Sequence, residues 1–303
     1  MAEELSLEQL AAFDNLEFLA SQVVEGFITG LHKSPYHGFS VEFSEHRMYN
    51  TGESTRNIDW KLYARTDKYF VKRYEEETNL RCQLVIDTSG SMYFPEDSAS
   101  KLRFSVYAAA ALLQLFKRQR DAVGLTTFSE QVDLSLKSRS NPAHHKLLLS
   151  ELEKLLNSAR NQRGTRAITA LHEIAETSHN RSLVIIFSDM FEPGAHADAL
   201  FAALQHLRYN KHEVLLFHVL DAPHEMAFEY DNRPHVFIDM ESGEELKLNP
   251  VAIQQAYREK AASFKQELLL KCGQFKIDFV EADISQGLNQ ILLPYLLKRS
   301  KMY

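Results

Sequence analysis

The chain has few cysteines, no long hydrophobic run and no excess of basic charge, and each absence excludes a class of protein. Its two cysteines, Cys82 and Cys272, cannot form a disulfide framework or a four-cysteine zinc site, so we expect buried free thiols. No apolar run approaches the roughly 20 residues of a membrane span. The net charge of -7 argues against general nucleic-acid binding. Because the first residues also lack the features of a secretory signal, we expect a cytoplasmic protein.

Three catalytic motifs are absent as well. The chain contains neither the Gly-x-x-x-x-Gly-Lys-Ser/Thr of a P-loop nor the Gly-x-Gly-x-x-Gly of a dinucleotide site. It also lacks the Gly-x-Ser-x-Gly turn that presents a nucleophilic serine in α/β-hydrolases. Without these motifs, the sequence gives no support to a P-loop or dinucleotide-binding site or to an α/β-hydrolase function.

From Arg81 onward, predicted strands and helices alternate. We predict strands at 82–87, 122–128, 131–136, 182–188, 213–219 and 275–281, and helices at 99–119, 142–159, 167–179, 195–208, 250–272 and 285–298. Such alternation predicts an α/β fold, a Rossmann-like doubly wound and mostly parallel sheet with helices on both faces. The uninterrupted apolar run over 183–188 is typical of a central parallel strand.

Two regions depart from this alternation. Residues 1–78 are predicted to form an N-terminal accessory region, with an amphipathic helix over 7–32 and short strands over 37–43 and 69–74, ahead of a main domain over 79–303. Residues 221–249 are predicted to insert a β-hairpin with a polar turn that contains Gly243.

Oxygen-bearing side chains follow the first strand of the main domain. The buried run over 82–87 ends at Asp87, and Ser89 and Ser91 follow at alternate positions, a spacing that can converge on a cation such as Mg²⁺. Ligands of open α/β sheets bind beyond the carboxyl ends of the strands, so Thr165 and Asp189 are expected at the same edge. Taken singly, the three hydroxyl residues can serve as helix caps and Asp189 as an ordinary loop carboxylate.

These residues carry a family resemblance. The set Asp87-x-Ser89-x-Ser91, Gly164-Thr165 and Ser188-Asp189 resembles the metal-ion-dependent adhesion site (MIDAS) of von Willebrand factor type A domains. Flanking segments such as Gly38-Phe-Ser-x-Glu-Phe and Val71-Lys-Arg-Tyr-Glu-Glu76 resemble the domain-of-unknown-function family fifty-eight, a von Willebrand type A–like family. Members of that family are often encoded beside MoxR-type AAA+ ATPases.

The resemblance implies a metal site and its ligands. It implies Mg²⁺, with Mn²⁺ or Ca²⁺ as alternatives, held directly by Ser89 and Ser91. Thr165 would bind the ion directly or through water, and Asp87 and Asp189 would act largely through water.

Our leading hypothesis is a metal-dependent protein-binding module without catalytic activity. Neutral hydroxyl ligands leave the charge of Mg²⁺ incompletely quenched, so an acidic residue of a partner protein can displace a bound water. By resemblance, the partner or its assembly includes a MoxR-type AAA+ ATPase, for which this chain would be an adaptor or co-chaperone. Two alternatives stay open: a Mg²⁺-dependent phosphoryl-transfer enzyme with Asp87 as nucleophile, and a structural scaffold with a vestigial site.

Overall fold

The computed structural model describes residues 15–32, 46–48, 60–72, 80–95, 100–157, 167–178, 181–190, 197–240 and 243–300. The chain divides into two compact units, Met1–Thr29 with Leu80–Tyr303 and, separately, Gly30–Asn79. The first described element is helix α1 (Leu16–His32). The smaller unit contains β1 (His46–Met48), α2 (Trp60–Thr66) and β2 (Phe70–Lys72), and β1 pairs antiparallel with β2.

The N-terminal predictions are met in part, because Asn15 is not helical and instead precedes α1, accepting a hydrogen bond from the Phe18 N–H at 2.9 Å. Part of the helix predicted over 7–32 is present as α1, and the strand predicted over 69–74 is present as β2. The strand predicted over 37–43 lies outside the described residues. That residues 1–78 form one accessory region stays a prediction.

Helix α1 is amphipathic, as its sequence indicates. Leu19 and Val24 are buried. On its polar side, Glu17 accepts a hydrogen bond from the Lys117 ammonium at 2.8 Å. The pair is about half exposed, so we attribute the position of α1 to its buried apolar residues and only a small part to the ion pair.

The larger unit is built on a six-stranded sheet. Its strands and those of the hairpin are β3 (Arg81–Asp87), β4 (Ala122–Phe128), β5 (Val132–Arg139), β6 (Leu183–Ser188), β7 (Glu213–Leu220), β8 (His235–Ile238), β9 (Glu245–Leu248) and β10 (Asp278–Asp283). The sheet order is β10-β7-β6-β3-β4-β5, and all neighbours are parallel except the antiparallel pair of β4 and β5. The four central strands are buried along nearly their whole length, as strands covered on both faces must be.

Helices cover both faces of this sheet. They are α3 (Lys101–Gln119), α4 (Pro142–Asn157), α5 (Ala167–Thr177), α6 (Ala197–Tyr209), α7 (Pro250–Gln274) and α8 (Asn289–Ser300). One core joins α5, α6 and the end of α7 to strand residues such as Val184 and Leu216. Helix α3 contacts α4 and α8 on the opposite face. The predicted doubly wound α/β fold is confirmed.

No described helix combines the length and the apolar character that crossing a bilayer requires.

The ends of the predicted elements differ from the structure by a few residues, as at the start of β10. Helix α7 continues to Gln274, and Lys276 then adopts a left-handed conformation with φ of 57°. The Ile277 N–H donates to the Cys272 carbonyl at 2.8 Å, which closes the helix end in the manner of a Schellman-type turn. The strand therefore begins at Asp278 and not at residue 275.

The inserted hairpin and the free thiols were predicted correctly. Strands β8 and β9 pair antiparallel, and Gly243 lies in the turn between them with φ of 75°, a conformation that glycine adopts without steric cost. Cys82 and Cys272 are both buried and free.

Candidate metal centre at the carboxyl end of the sheet

Asp87 lies at the centre of the sheet edge where the parallel strands end. Strand β3 has β4 on one side and β6 on the other, and its register pairs Ile86 with Phe187. The next residues along these two parallel strands are Asp87 and Ser188, which are therefore neighbours. Both are fully buried. The apolar sequence of β3 thus delivers a carboxylate into a site that water does not reach directly.

Both oxygens of the Asp87 carboxylate accept hydrogen bonds. The Ser89 N–H donates to Oδ1 at 2.9 Å, and the Ser188 hydroxyl donates to Oδ2 at 2.6 Å. The pKa of Asp87 is nevertheless raised from 3.8 to about 7, first by burial and then by the negative charge of Asp189, while the hydrogen bonds oppose the rise. A positive charge placed between these carboxylates would relieve their repulsion.

The two hydroxyls predicted to bind the ion lie side by side. Ser89 Oγ and Ser91 Oγ are 3.1 Å apart, in and just before the 3₁₀ turn Gly90–Tyr93. Ser89 is fully buried and Ser91 is half-buried, so the pair extends from the interior toward solvent.

Helix capping does not account for the Ser89 hydroxyl. Ser89 precedes the 3₁₀ turn but makes no side-chain cap hydrogen bond. The N-cap of α3 is Ser100, which accepts from the Arg103 N–H. Thr88 lies between the two candidate residues Asp87 and Ser89. Its hydroxyl donates to the Phe128 carbonyl at 2.8 Å, so this side chain binds the end of β4.

Asp189 follows β6 and is bound to a lysine that the sequence did not suggest. Lys101 Nζ donates to Asp189 Oδ2 at 2.8 Å, and it also pairs with Glu225. Burial by itself lowers the pKa of Lys101, but the charges of Asp189 and Glu225 raise it above its ordinary value, so the ammonium is retained.

The backbone after β6 fixes the position of Asp189. Met190 is buried and adopts a left-handed conformation with φ of 49°, which is uncommon for a residue other than glycine. Its N–H donates to Ser188 Oγ at 2.9 Å. The His218 Nε2 atom lies 2.9 Å from the carbonyl oxygen of Asp189, which is hydrogen-bond distance.

The structure places four of the five predicted residues. Asp87, Ser89, Ser91 and Asp189 lie at one edge of the sheet, whereas Thr165 lies outside the described residues. Sequence reasoning missed two contributors, the buried ammonium of Lys101 and its second carboxylate, Glu225. A weak signal was available for Lys101, because a lysine in the first turn of a helix opposes the helix dipole and so needs a nearby anion.

The described residues fit a hard cation with oxygen ligands. Neighbouring ligands of octahedral Mg²⁺, each at about 2.0–2.1 Å from the ion, lie about 2.9 Å apart. The 3.1 Å between the Ser89 and Ser91 hydroxyls is close to that separation. Within the described part of the chain, no group of three or more His, Cys, Asp or Glu side chains could hold a metal ion. Among the described residues, the hydroxyls of Ser89 and Ser91 are the first candidates for its ligands.

Comparison with known families matches residues 45–267 to the family described as protein of unknown function DUF58. The chain belongs to the DUF58 family. The family predicted from the sequence motifs is thereby confirmed. This DUF58 protein is also 26% identical over 260 residues to uncharacterized protein Rv1480 of Mycobacterium tuberculosis and to uncharacterized protein Mb1516 of Mycobacterium bovis. Each alignment covers 85% of this chain and 79% of the relative.

Solved structures with a similar arrangement include BatB from Bacteroides thetaiotaomicron. It has a TM-score of 0.46 and 16% identity, over 74% of this chain and 100% of that chain. An aerotolerance-related membrane protein from Bacteroides fragilis has a TM-score of 0.45 and 14% identity, over 73% of this chain and 97% of that one. At these values neither structure bears on the function of the DUF58 protein.

Proposed function

We propose that this DUF58 protein is a metal-dependent protein-binding module that captures an acidic residue of a partner through a Mg²⁺ ion. The observation that carries the proposal is the pair of hydroxyls of Ser89 and Ser91, 3.1 Å apart beside a buried carboxylate whose pKa is raised. These groups combine neutral ligand atoms with a carboxyl whose charged form is disfavoured by burial and would be favoured by a nearby cation. When bound, the ion would supply a Lewis-acidic position for a carboxylate oxygen.

The residues of the chain would have different roles in such a site. Ser89 and Ser91 would hold the ion, with Thr165 as the third candidate ligand. Asp87 would act as an anchor, because its two oxygens already accept hydrogen bonds from Ser89 and Ser188. Since few anionic groups would touch the ion directly, it would keep affinity for a carboxylate from outside.

The proposed function does not include catalysis. A nucleophilic aspartate needs an oxygen that can reach the substrate, but Asp87 is fully buried and both oxygens are engaged. A generic phosphate ester tests the rival enzyme: Mg²⁺-dependent hydrolysis by the wild type that Asp87→Asn abolishes would favour phosphoryl transfer.

By family resemblance, we propose that the protein is an adaptor or co-chaperone of a MoxR-type AAA+ ATPase, and we propose separately that it acts in the cytoplasm. The test is capture of the purified ATPase of the same organism on immobilised protein, in Mg²⁺ and again in chelator. We expect capture in Mg²⁺ alone, and its loss in Ser89→Ala.

Ser100→Ala is the matched control for that test, since it removes a serine hydroxyl nearby that caps a helix. It should cost about 1 kcal/mol of stability and leave capture intact. Equal capture with and without Mg²⁺, or equal loss in both alanine variants, would contradict the proposal.

A further inference from the structure

A fully buried lysine beside a candidate metal site is unusual enough to require an explanation. The Lys101 side chain is 1% exposed, and that of Asp189 is 7% exposed. Lysine is almost never fully buried unless it is paired, because removing an ammonium from water is costly. The Lys101 ammonium forms ion pairs with two carboxylates, those of Asp189 and Glu225, although one would be enough to neutralise its charge.

The two carboxylates come from different parts of the fold. Asp189 ends β6 at the candidate metal centre. Glu225 lies in the π-helical turn Ala222–Met226, at the start of the segment that leads to the hairpin, and its other oxygen accepts from the Asp221 N–H at 2.8 Å. Lys101 therefore joins the site to the base of the hairpin insertion.

The bond to Lys101 occupies the oxygen Oδ2 of Asp189. An ammonium at 2.8 Å offsets part of the charge that Asp189 would otherwise offer to a neighbouring cation. A metal ion beside Ser89 and Ser91 would then gain less from Asp189, and one coordination position would stay with water.

We propose that Lys101 is a specificity-determining residue, which holds Asp189 away from direct coordination so that the metal ion stays open to a partner's carboxylate. This inference rests on the proposed metal-dependent binding. It adds that the site contains an internal cation that lowers metal affinity and raises affinity for the acidic ligand.

Replacement of Lys101 by methionine, which keeps most of the length of the side chain and removes the charge, tests the inference with Mn²⁺ as the probe. Without the ammonium, Asp189 is expected to coordinate the ion. Mn²⁺ should bind about tenfold more tightly, the order expected from one added anionic ligand at a partly screened site. Water-proton relaxation should count one fewer water on the bound ion, and binding of N-acetylglutamate to the loaded protein should weaken.

Two further variants separate this role from a structural one. In the double variant Lys101→Met with Asp189→Asn, the gain in Mn²⁺ affinity should disappear. Glu225→Gln leaves the Lys101 ammonium to Asp189 alone, so Mn²⁺ should bind no more tightly than to the wild type and the number of waters on the ion should not fall. A purely structural lysine would instead give weaker Mn²⁺ and weaker N-acetylglutamate binding together in Lys101→Met, a result that overturns the inference.

Folding of Lys101→Met is checked by circular dichroism. If the variant does not fold, a crystal structure of the Mn²⁺-loaded wild type provides the test. An Asp189 carboxylate that is hydrogen-bonded to Lys101 and does not coordinate Mn²⁺ supports the inference. A direct bond from Asp189 to Mn²⁺ refutes it. Failure of the wild type to bind Mn²⁺ removes the proposed function and this inference together. Wild-type binding with no gain in Lys101→Met removes only the inference.

Discussion

Replacement of Asp87 by asparagine should make the metal-free protein more stable at neutral pH while removing its metal site. The pKa of Asp87 is raised from 3.8 to about 7 in the folded protein. Below 3.8 the carboxyl is protonated in both the folded and the unfolded chain. Between 3.8 and about 7 the unfolded chain releases the proton and the folded chain keeps it, so the folded state loses stability as pH rises through this window.

The size of this effect follows from the two pKa values. At 1.36 kcal/mol for each pH unit, the interval from 3.8 to about 7 corresponds to roughly 4 kcal/mol, an upper bound for a buried group that interacts with Asp189. Asparagine is neutral and can keep both hydrogen bonds, since its oxygen can accept from the Ser89 N–H and its amide can donate to Ser188 Oγ. The stability of Asp87→Asn relative to the wild type should thus rise by up to about 4 kcal/mol between pH 4 and pH 8.

Urea unfolding in chelator, followed by circular dichroism at several pH values, measures this difference. Asp133→Asn is the control, because it makes the same change from acid to amide at an exposed position near the same sheet edge. Mg²⁺ at pH 8 should stabilise the wild type and not Asp87→Asn, since a ligand stabilises only the state that binds it. A stability difference between Asp87→Asn and the wild type that stays flat from pH 4 to pH 8 would refute the reasoning.

Two other predictions concern buried groups. Ser188→Ala removes the donor to Asp87 Oδ2, so the free energy of unfolding should fall by about 1–3 kcal/mol and Mn²⁺ affinity should fall with it; unchanged Mn²⁺ titration would show that this bond does not support the site. Burial raises the pKa of Cys272 to about 12, so a thiol-specific reagent at pH 8 should react slowly with the native protein and fully in denaturant. Rapid reaction of Cys272 in the native protein would contradict its burial.

The fold could be predicted from the sequence because its strongest signals are local. The apolar run of β6 reflects burial on both faces of the sheet, and the amphipathic pattern of α1 reflects burial on one face of that helix. The ends of the strands and helices were predicted less accurately. Strand β5, for example, continues to Arg139 beyond the predicted end at 136. There a register shift lets Arg139 pair with Val123 across a β-bulge, a feature that alternation of side chains does not encode.

The candidate site was predictable only in part. Asp87, Ser89 and Ser91 are adjacent in sequence, and the end of an apolar strand marks them. Their partners come from distant positions: Ser188 is 101 residues from Asp87, and Lys101 is 88 residues from Asp189. Periodicity identifies the face of a helix that is buried but not which distant carboxylate meets a lysine in its first turn. The contact between Lys101 and Asp189 therefore became visible only in the folded chain.

Calorimetric titration of Mg²⁺ into the chelator-treated protein tests the central claim most directly. We predict one site in the wild type, and no binding once Ser89 and Ser91 are both replaced by alanine, while thermal unfolding shows that the variant is folded. The same Mg²⁺ affinity in the wild type and the double variant would contradict the claim that these two hydroxyls hold a metal ion.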